Sequence, residues 1–174
     1  MKLIFAHAVY LFAIGIIDEV HSYQSCLPFL KAMKHLVCDC TKKCEAGWME
    51  YRNHCYYFSV DKLNWFESEH FCKDHGSHLA KVEDHDENQW IVSKAHQDGA
   101  MEHLLYLGGN DVKKEGEWIW SVDSSPLSYQ NWNQRYQEPN GGTSENCLNL
   151  MNNGKWNDYQ CHISLRYVCK KQKI

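Results

Sequence analysis

The chain has 174 residues, enough for one ordinary domain and a short extra piece. Charged residues make up 23% and aromatics 13%, a globular composition. The net charge is −4 and no basic block stands out, which speaks against nucleic-acid binding.

Residues 1–22 read as a signal peptide. Lys2 supplies the positive start, Leu3 to Ile17 is a mostly apolar run that includes His7, and Val20 and Ser22 are small enough for a cut after Ser22. The run is short for a membrane span, which needs about 20 residues. The expected mature protein is therefore secreted, with no membrane span. Nine cysteines follow the cut, and in an oxidising compartment they read as a disulfide framework in which at least one thiol is free or bridges to another chain. The chain carries no N-x-S/T sequon.

Residues 23–43 hold Cys26, Cys38 and Cys40. After Pro28, a short helix would place Cys26, Leu30, Met33 and Val37 on one side, and by itself it is too short to be stable. Two readings stand side by side. The segment is a leader with one internal disulfide, or a handle through which one or more of these cysteines links chains into a disulfide-bonded homo-oligomer.

From Trp48 to Phe58 the sequence predicts aromatic strands around a polar turn at Arg52-Asn53-His54. Asn64 and Glu67 form a capping-box pair before a helix over about Trp65–Asp74, which Gly76 ends. Trp65, Phe71 and Cys72 face inward on it. Leu79-Ala80-Lys81-Val82 reads as a short strand. Asp84 and Glu87 cap a second helix that runs to about Gln97, with Trp90, Ile91 and Ala95 on its buried side. Strands are expected at Leu105–Gly109, at Trp118-Ile119-Trp120 and at Cys147–Leu150. A turn at Asn153-Gly154 leads into Lys155-Trp156-Asn157-Asp158, and Arg166–Cys169 is the last strand.

Glu138-Pro139-Asn140, Glu145 and Asn157-Asp158 gather five oxygen-bearing side chains into about twenty residues. Hard cations such as calcium take six to eight oxygens from flexible loops, and the set has no histidine or thiolate for zinc. Glu138 and Glu145 could also be read as a glycosidase pair, but such a pair needs one protonated carboxyl, whereas a shared calcium ionises both. No nucleophile–base arrangement is evident, so the chain reads as a non-enzyme. His70, His75, His78 and His85 are closely spaced in no zinc pattern, and they read as solvated polar residues around a helix end rather than as a metal or pH-sensing cluster.

E-P-N, then E-N-C, then W-N-D and a cysteine resembles the calcium and sugar site of the C-type lectin-like domain. The resemblance spans Cys44 to Cys169, and within the family it is closest in kind to small secreted invertebrate lectins, including perlucin-like proteins of mollusc shell. It implies an α+β, disulfide-stabilised fold over residues 44–170, with two helices flanking antiparallel sheets and a long calcium-binding loop. It also implies disulfides Cys44–Cys55, which marks the long form, Cys72–Cys169 and Cys147–Cys161. Leu105-Tyr106-Leu107-Gly108-Gly109 matches the family's W-I-G-L segment, with Tyr106 where Trp is usual and Gly109 altering the end, and Ser128–Trp132 resembles the lead into the long loop.

The resemblance makes Glu138, Asn140, Glu145, Asn157 and Asp158 the calcium ligands, with a cis bond before Pro139. Protonating these carboxylates would release the ion at low pH. Glu138, Asn140, Glu145 and Asn157 would also bind the sugar. The acids accept hydrogen bonds from its hydroxyls and the amides donate to them. The order acid–Pro–amide resembles mannose-type members, which take glycans with equatorial 3- and 4-hydroxyls: mannose, glucose, N-acetylglucosamine or fucose. Tyr136 and Asn149 are candidates for finer specificity. An auxiliary calcium is matched by Asp111 and Glu115, while Gly141 lacks a side chain and Asn146 replaces an acid. The expected role is pattern recognition of microbial or matrix glycans, as in innate immunity. The alternative is a structural matrix or biomineral-associated protein that uses the fold for protein or mineral binding.

Overall fold

The computed structural model describes residues 43–97 and 104–173. The expected signal peptide and the segment carrying Cys26, Cys38 and Cys40 lie outside them. Among the described residues the order is β1 (Met49–Tyr51), β2 (His54–Phe58), α1 (Trp65–Asp74), β3 (His78–Leu79), α2 (His85–Gln97), β4 (Leu105–Asn110), β5 (Ile119–Trp120), β6 (Cys147–Leu150), β7 (Trp156–Tyr159) and β8 (Arg166–Gln172), with single 3-10 turns at Gln134–Tyr136 and Gly142–Ser144.

Local chemistry sets the helix ends. Asn64 Oδ1 accepts from the Glu67 N–H at 2.9 Å, and the Glu67 carboxylate takes the Asn64 N–H at 3.1 Å, which completes the expected capping box. At the other end Gly76 has φ +63°. Its N–H bonds to the Lys73 carbonyl while that of Ser77 reaches Cys72, the paired bonds of a Schellman stop. The second helix is capped by Asp84 Oδ1 on the Glu87 N–H, but the Glu87 carboxylate reaches back to the Glu83 N–H, one residue earlier than a standard box.

The strands run β1-β2-β8-β4-β6-β7, with β3 added on β8 and β5 on β4. The sheets are antiparallel as expected, apart from one pair. β4 and β8 pair in parallel, Leu105 opposite Arg166 and Tyr106 opposite Tyr167. The expected strand over 79–82 shortens to His78–Leu79, although Ala80 still pairs with Val168 and Gly108 through its backbone. The first hairpin turns on Arg52-Asn53 alone, so His54 begins β2.

Two apolar clusters fill the two sides of this scaffold. One centres on Tyr56, Ile91, Leu107, Trp120, Leu148 and Trp156, the other on Trp65, Leu79, Tyr106, Tyr167 and the half-cystines Cys72, Cys147 and Cys169. The three expected disulfides, Cys44–Cys55, Cys72–Cys169 and Cys147–Cys161, are all formed. The Tyr106 hydroxyl donates to the carbonyls of Gln160 and Ile163, so it ties the β7–β8 connection to the central strand. Gly109 leaves room that Leu148 occupies: an added Cβ would stand 2.8 Å from the Leu148 Cδ1.

Candidate functional site

The candidate site is the long loop between Trp132 and Cys147 together with β7. Trp156 anchors it from below. Its indole N–H donates to Asn88 Oδ1 of α2 at 2.7 Å, while Asn88 and Asn131 both donate to the Gly154 carbonyl. Backbone bonds from Trp156 to Asn131 and from Asn133 to Trp156 lay the start of the loop against β7. The Asn133 carbonyl then accepts from the N–H groups of Tyr136 and Glu138, which turns the chain toward the Glu138–Pro139 bond, and that bond is cis.

Asp158 holds the loop down from above. Its buried carboxylate accepts from the N–H of Asn140 at 3.1 Å and from that of Gly141 at 2.7 Å. Asn140 donates through its own amide to the Tyr136 carbonyl at 2.8 Å, which leaves its Oδ1 available. The Asn157 amide donates to the Asp158 carbonyl. Gly141 has no Cβ, and Glu145 fills that space: a Cβ there would fall 2.4 Å from Glu145 Oε2.

Three carboxylates therefore crowd one loop. Burial first, and then the facing Asp158 carboxylate and the more distant Glu145, push Glu138 up to about 7, against a smaller opposing effect of Asn140. Glu145 is also raised, by burial and by Asp158, while Gln160 opposes the shift by hydrogen bonding to it. Glu138 Oε2 is buried and finds no donor among the described residues. None of the ion pairs among those residues reaches Glu138, Glu145 or Asp158. Facing carboxylates without a cation cannot both ionise cheaply. An all-oxygen set of acids and amides with an orphaned buried oxygen fits a hard cation such as calcium.

The structure brings Glu138, Asn140 and Glu145 of the loop to Asp158 of β7, and Asn157 precedes Asp158 on that strand. As placed, the Asn157 amide N–H and both Asp158 carboxylate oxygens bond to the protein's own backbone. Among the described residues no three His, Cys, Asp or Glu side chains form a cluster able to hold a metal.

Of the auxiliary set, Asp111 is buried at the end of β4. One of its oxygens accepts from the Gly116 N–H at 2.8 Å and the other has no partner among the described residues. Asp111 is raised by burial, while Glu115, on the exposed turn, is raised by slight desolvation and by Asp111 and Asp158. The Asn146 amide is turned away to the Thr143 carbonyl.

Two sequence expectations are corrected here. Asn149 is fully buried within β6, opposite Asn157 and Tyr106, so it is no part of a sugar-facing surface. Tyr136 is exposed, as a specificity residue must be. Of the four histidines read as solvated, His78 is partly buried on β3 and lowered by that burial. Sequence reasoning also missed Gln160, whose effect on the Glu145 carboxyl depends on a fold-determined approach that no local motif signals. A cavity of about 430 Å³ between Trp65, Lys73 and Ser121 lies away from this loop.

Residues 61–171 match the family model of the C-type lectin domain, and the chain belongs to that family. Its members are carbohydrate-binding proteins without enzymatic activity, and this chain is accordingly a binding domain and not an enzyme. It is 35% identical over 135 residues to a perlucin-like protein of Mytilus galloprovincialis, covering 76% of this chain and 85% of the relative. Among solved structures it resembles the cow carbohydrate-recognition domain of CD23, crystallised in the presence of a GlcNAc2Man3 oligosaccharide. The identity is 30% with a TM-score of 0.68, over 76% of this chain and 98% of that one. It also resembles a calcium-independent type II antifreeze protein, at 27% identity and a TM-score of 0.67, over 76% and 96% of the two chains.

Proposed function

We propose that this protein is a secreted, calcium-dependent lectin of mannose-type specificity, with Glu138, Asn140, Glu145, Asn157 and Asp158 as its calcium ligands. The observation that carries the reading is the convergence of Glu138, Glu145 and Asp158 on one loop with a buried oxygen lacking a donor. These residues would hold calcium, which when bound would supply Lewis-acid contacts to the sugar. Glu138 and Glu145 accept hydrogen bonds from its hydroxyls, and Asn140 and Asn157 donate to them. Asp158 keeps the loop on β7, so the four sugar-reading side chains are positioned by the scaffold. Acid–Pro–amide order selects equatorial 3- and 4-hydroxyls, as in mannose, glucose, N-acetylglucosamine or fucose. Asp111, Glu115 and Asn146 form a poorer, auxiliary cation site in which one acid is replaced by an amide.

Three disulfides support an extracellular location. Among the described residues no helix is long and apolar enough to cross a membrane. A single shallow sugar site binds weakly, so multivalency through Cys26, Cys38 or Cys40 would raise avidity on microbial or matrix glycans. Pattern recognition is the role this reading proposes.

A second reading, a matrix or mineral-associated protein, is favoured by the perlucin-like relative and by a structural neighbour described as calcium-independent. The double substitution Glu138→Gln with Asn140→Asp separates the two. Exchanging acceptor and donor on the loop shifts preference from mannose toward galactose by about tenfold or more, each tenfold being about 1.4 kcal/mol. Retained mannose preference in the folded variant contradicts the proposed ligand roles. Mineral or protein binding left unchanged, with no sugar bound by either form, supports the second reading.

A further inference from the structure

A second concavity opens on the other side of Pro139. Its volume is about 480 Å³, within the range of small-ligand sites, and Trp118, Pro126, Leu127, Trp132 and Pro139 form much of its wall. The two indoles meet edge to face with centroids 4.8 Å apart, so Trp132 is braced by a buried partner. Trp132 itself stays partly exposed, and its indole N–H donates to Gln130 Oε1 at 3.1 Å. Gln130 is fixed in turn by its own bond to the Leu127 carbonyl, and exposed Glu117 also lines the concavity.

We infer that this groove is a subsite for the second sugar unit of an oligosaccharide whose first unit sits on Glu138 and Asn140. The inference rests on the lectin reading and names its substrate class: oligosaccharides rather than single sugars. Continuity is the first argument, because Pro139 lies between the two residues that read the first sugar and is itself part of the groove wall. Chemistry is the second. A pyranose has an apolar C–H face, which packs on an aromatic ring, and an equatorial rim of hydroxyls, which here meets a carboxylate and an amide. The groove combines a rigid aromatic floor with polar groups at its edge, whereas a purely lipid or peptide-apolar site would lack the carboxylate rim.

The test is calorimetric titration of the full chain, in calcium, with methyl mannoside and with a mannose trisaccharide. The unsubstituted protein is expected to bind the trisaccharide roughly tenfold more tightly, an aromatic contact and its polar rim together supplying that ratio. Trp132→Ala removes most of this advantage and leaves methyl mannoside binding in place. Because Trp132 also packs near the core residue Trp156, Gln130→Ala serves as a second variant. It alters an exposed residue, frees the indole, and reduces the advantage in the same direction. A trisaccharide advantage that survives both substitutions, or one absent from the unsubstituted protein while methyl mannoside binds, overturns the subsite. Failure of the unsubstituted protein to bind either sugar overturns the lectin reading and the subsite with it.

Discussion

At the residue scale, the site is governed by the crowding of acids around Glu138. Its carboxylate is raised because it is partly buried and faces Asp158, while Asp158 already serves two backbone N–H groups of the loop. The loop geometry and the acid crowding thus have one source. A different titration is expected at His78. Burial lowers it, and Lys170 on β8 acts in the same direction, against the Leu79 carbonyl, Glu69 on α1 and Asp123 after β5. A histidine lowered in the folded state contributes stability above its ordinary value of 6.5. That contribution is lost as pH falls below this value toward the folded one. Thermal melting in chelator from pH 7.5 down to 5 should therefore fall less steeply for His78→Gln than for the unsubstituted chain. Equal slopes would show that His78 does not titrate on unfolding.

At the element scale, the junction of β8, α2 and β2 carries a buried ion pair. Lys170 Nζ lies 2.7 Å from Glu87 and 2.9 Å from the Lys81 carbonyl, and the Tyr56 hydroxyl donates to the same Glu87 oxygen at 2.6 Å. Side-chain exposure is only 3% and 2% for Lys170 and Glu87, so removing one partner strands the other away from water. Lys170→Met should cost about 3–5 kcal/mol in denaturant unfolding, and adding Glu87→Leu should recover much of it. A single-variant loss below about 1 kcal/mol would contradict the buried-pair account. None of this was legible in the sequence, where a lysine after a half-cystine reads as a surface charge. The first helix was legible to the residue, because Asn64, Glu67 and Gly76 act within one turn of its ends. The parallel β4–β8 pair was not, since it joins segments about sixty residues apart in the chain and no local pattern records it. Asn149 misled for a related reason. A polar residue in a strand suggests an open face, but β6 is covered on both sides.

At the scale of the whole molecule, the Cys72–Cys169 bridge ties α1 to β8 across 97 residues. On the loop-entropy account such a closure contributes about 4–5 kcal/mol. It helps the scaffold hold a loop that has little apolar packing of its own. The residue types of the candidate site were readable from sequence because they lie in short motifs. Their present partners were not readable, because Asn157 and Asp158 bond to backbone groups that only the folded loop brings near. The most direct measurement is retention of the mature protein on immobilised mannan, first with calcium and then with a chelator. The account predicts retention that chelation abolishes and free mannose competes away. Calcium binding without retention on mannan would contradict it.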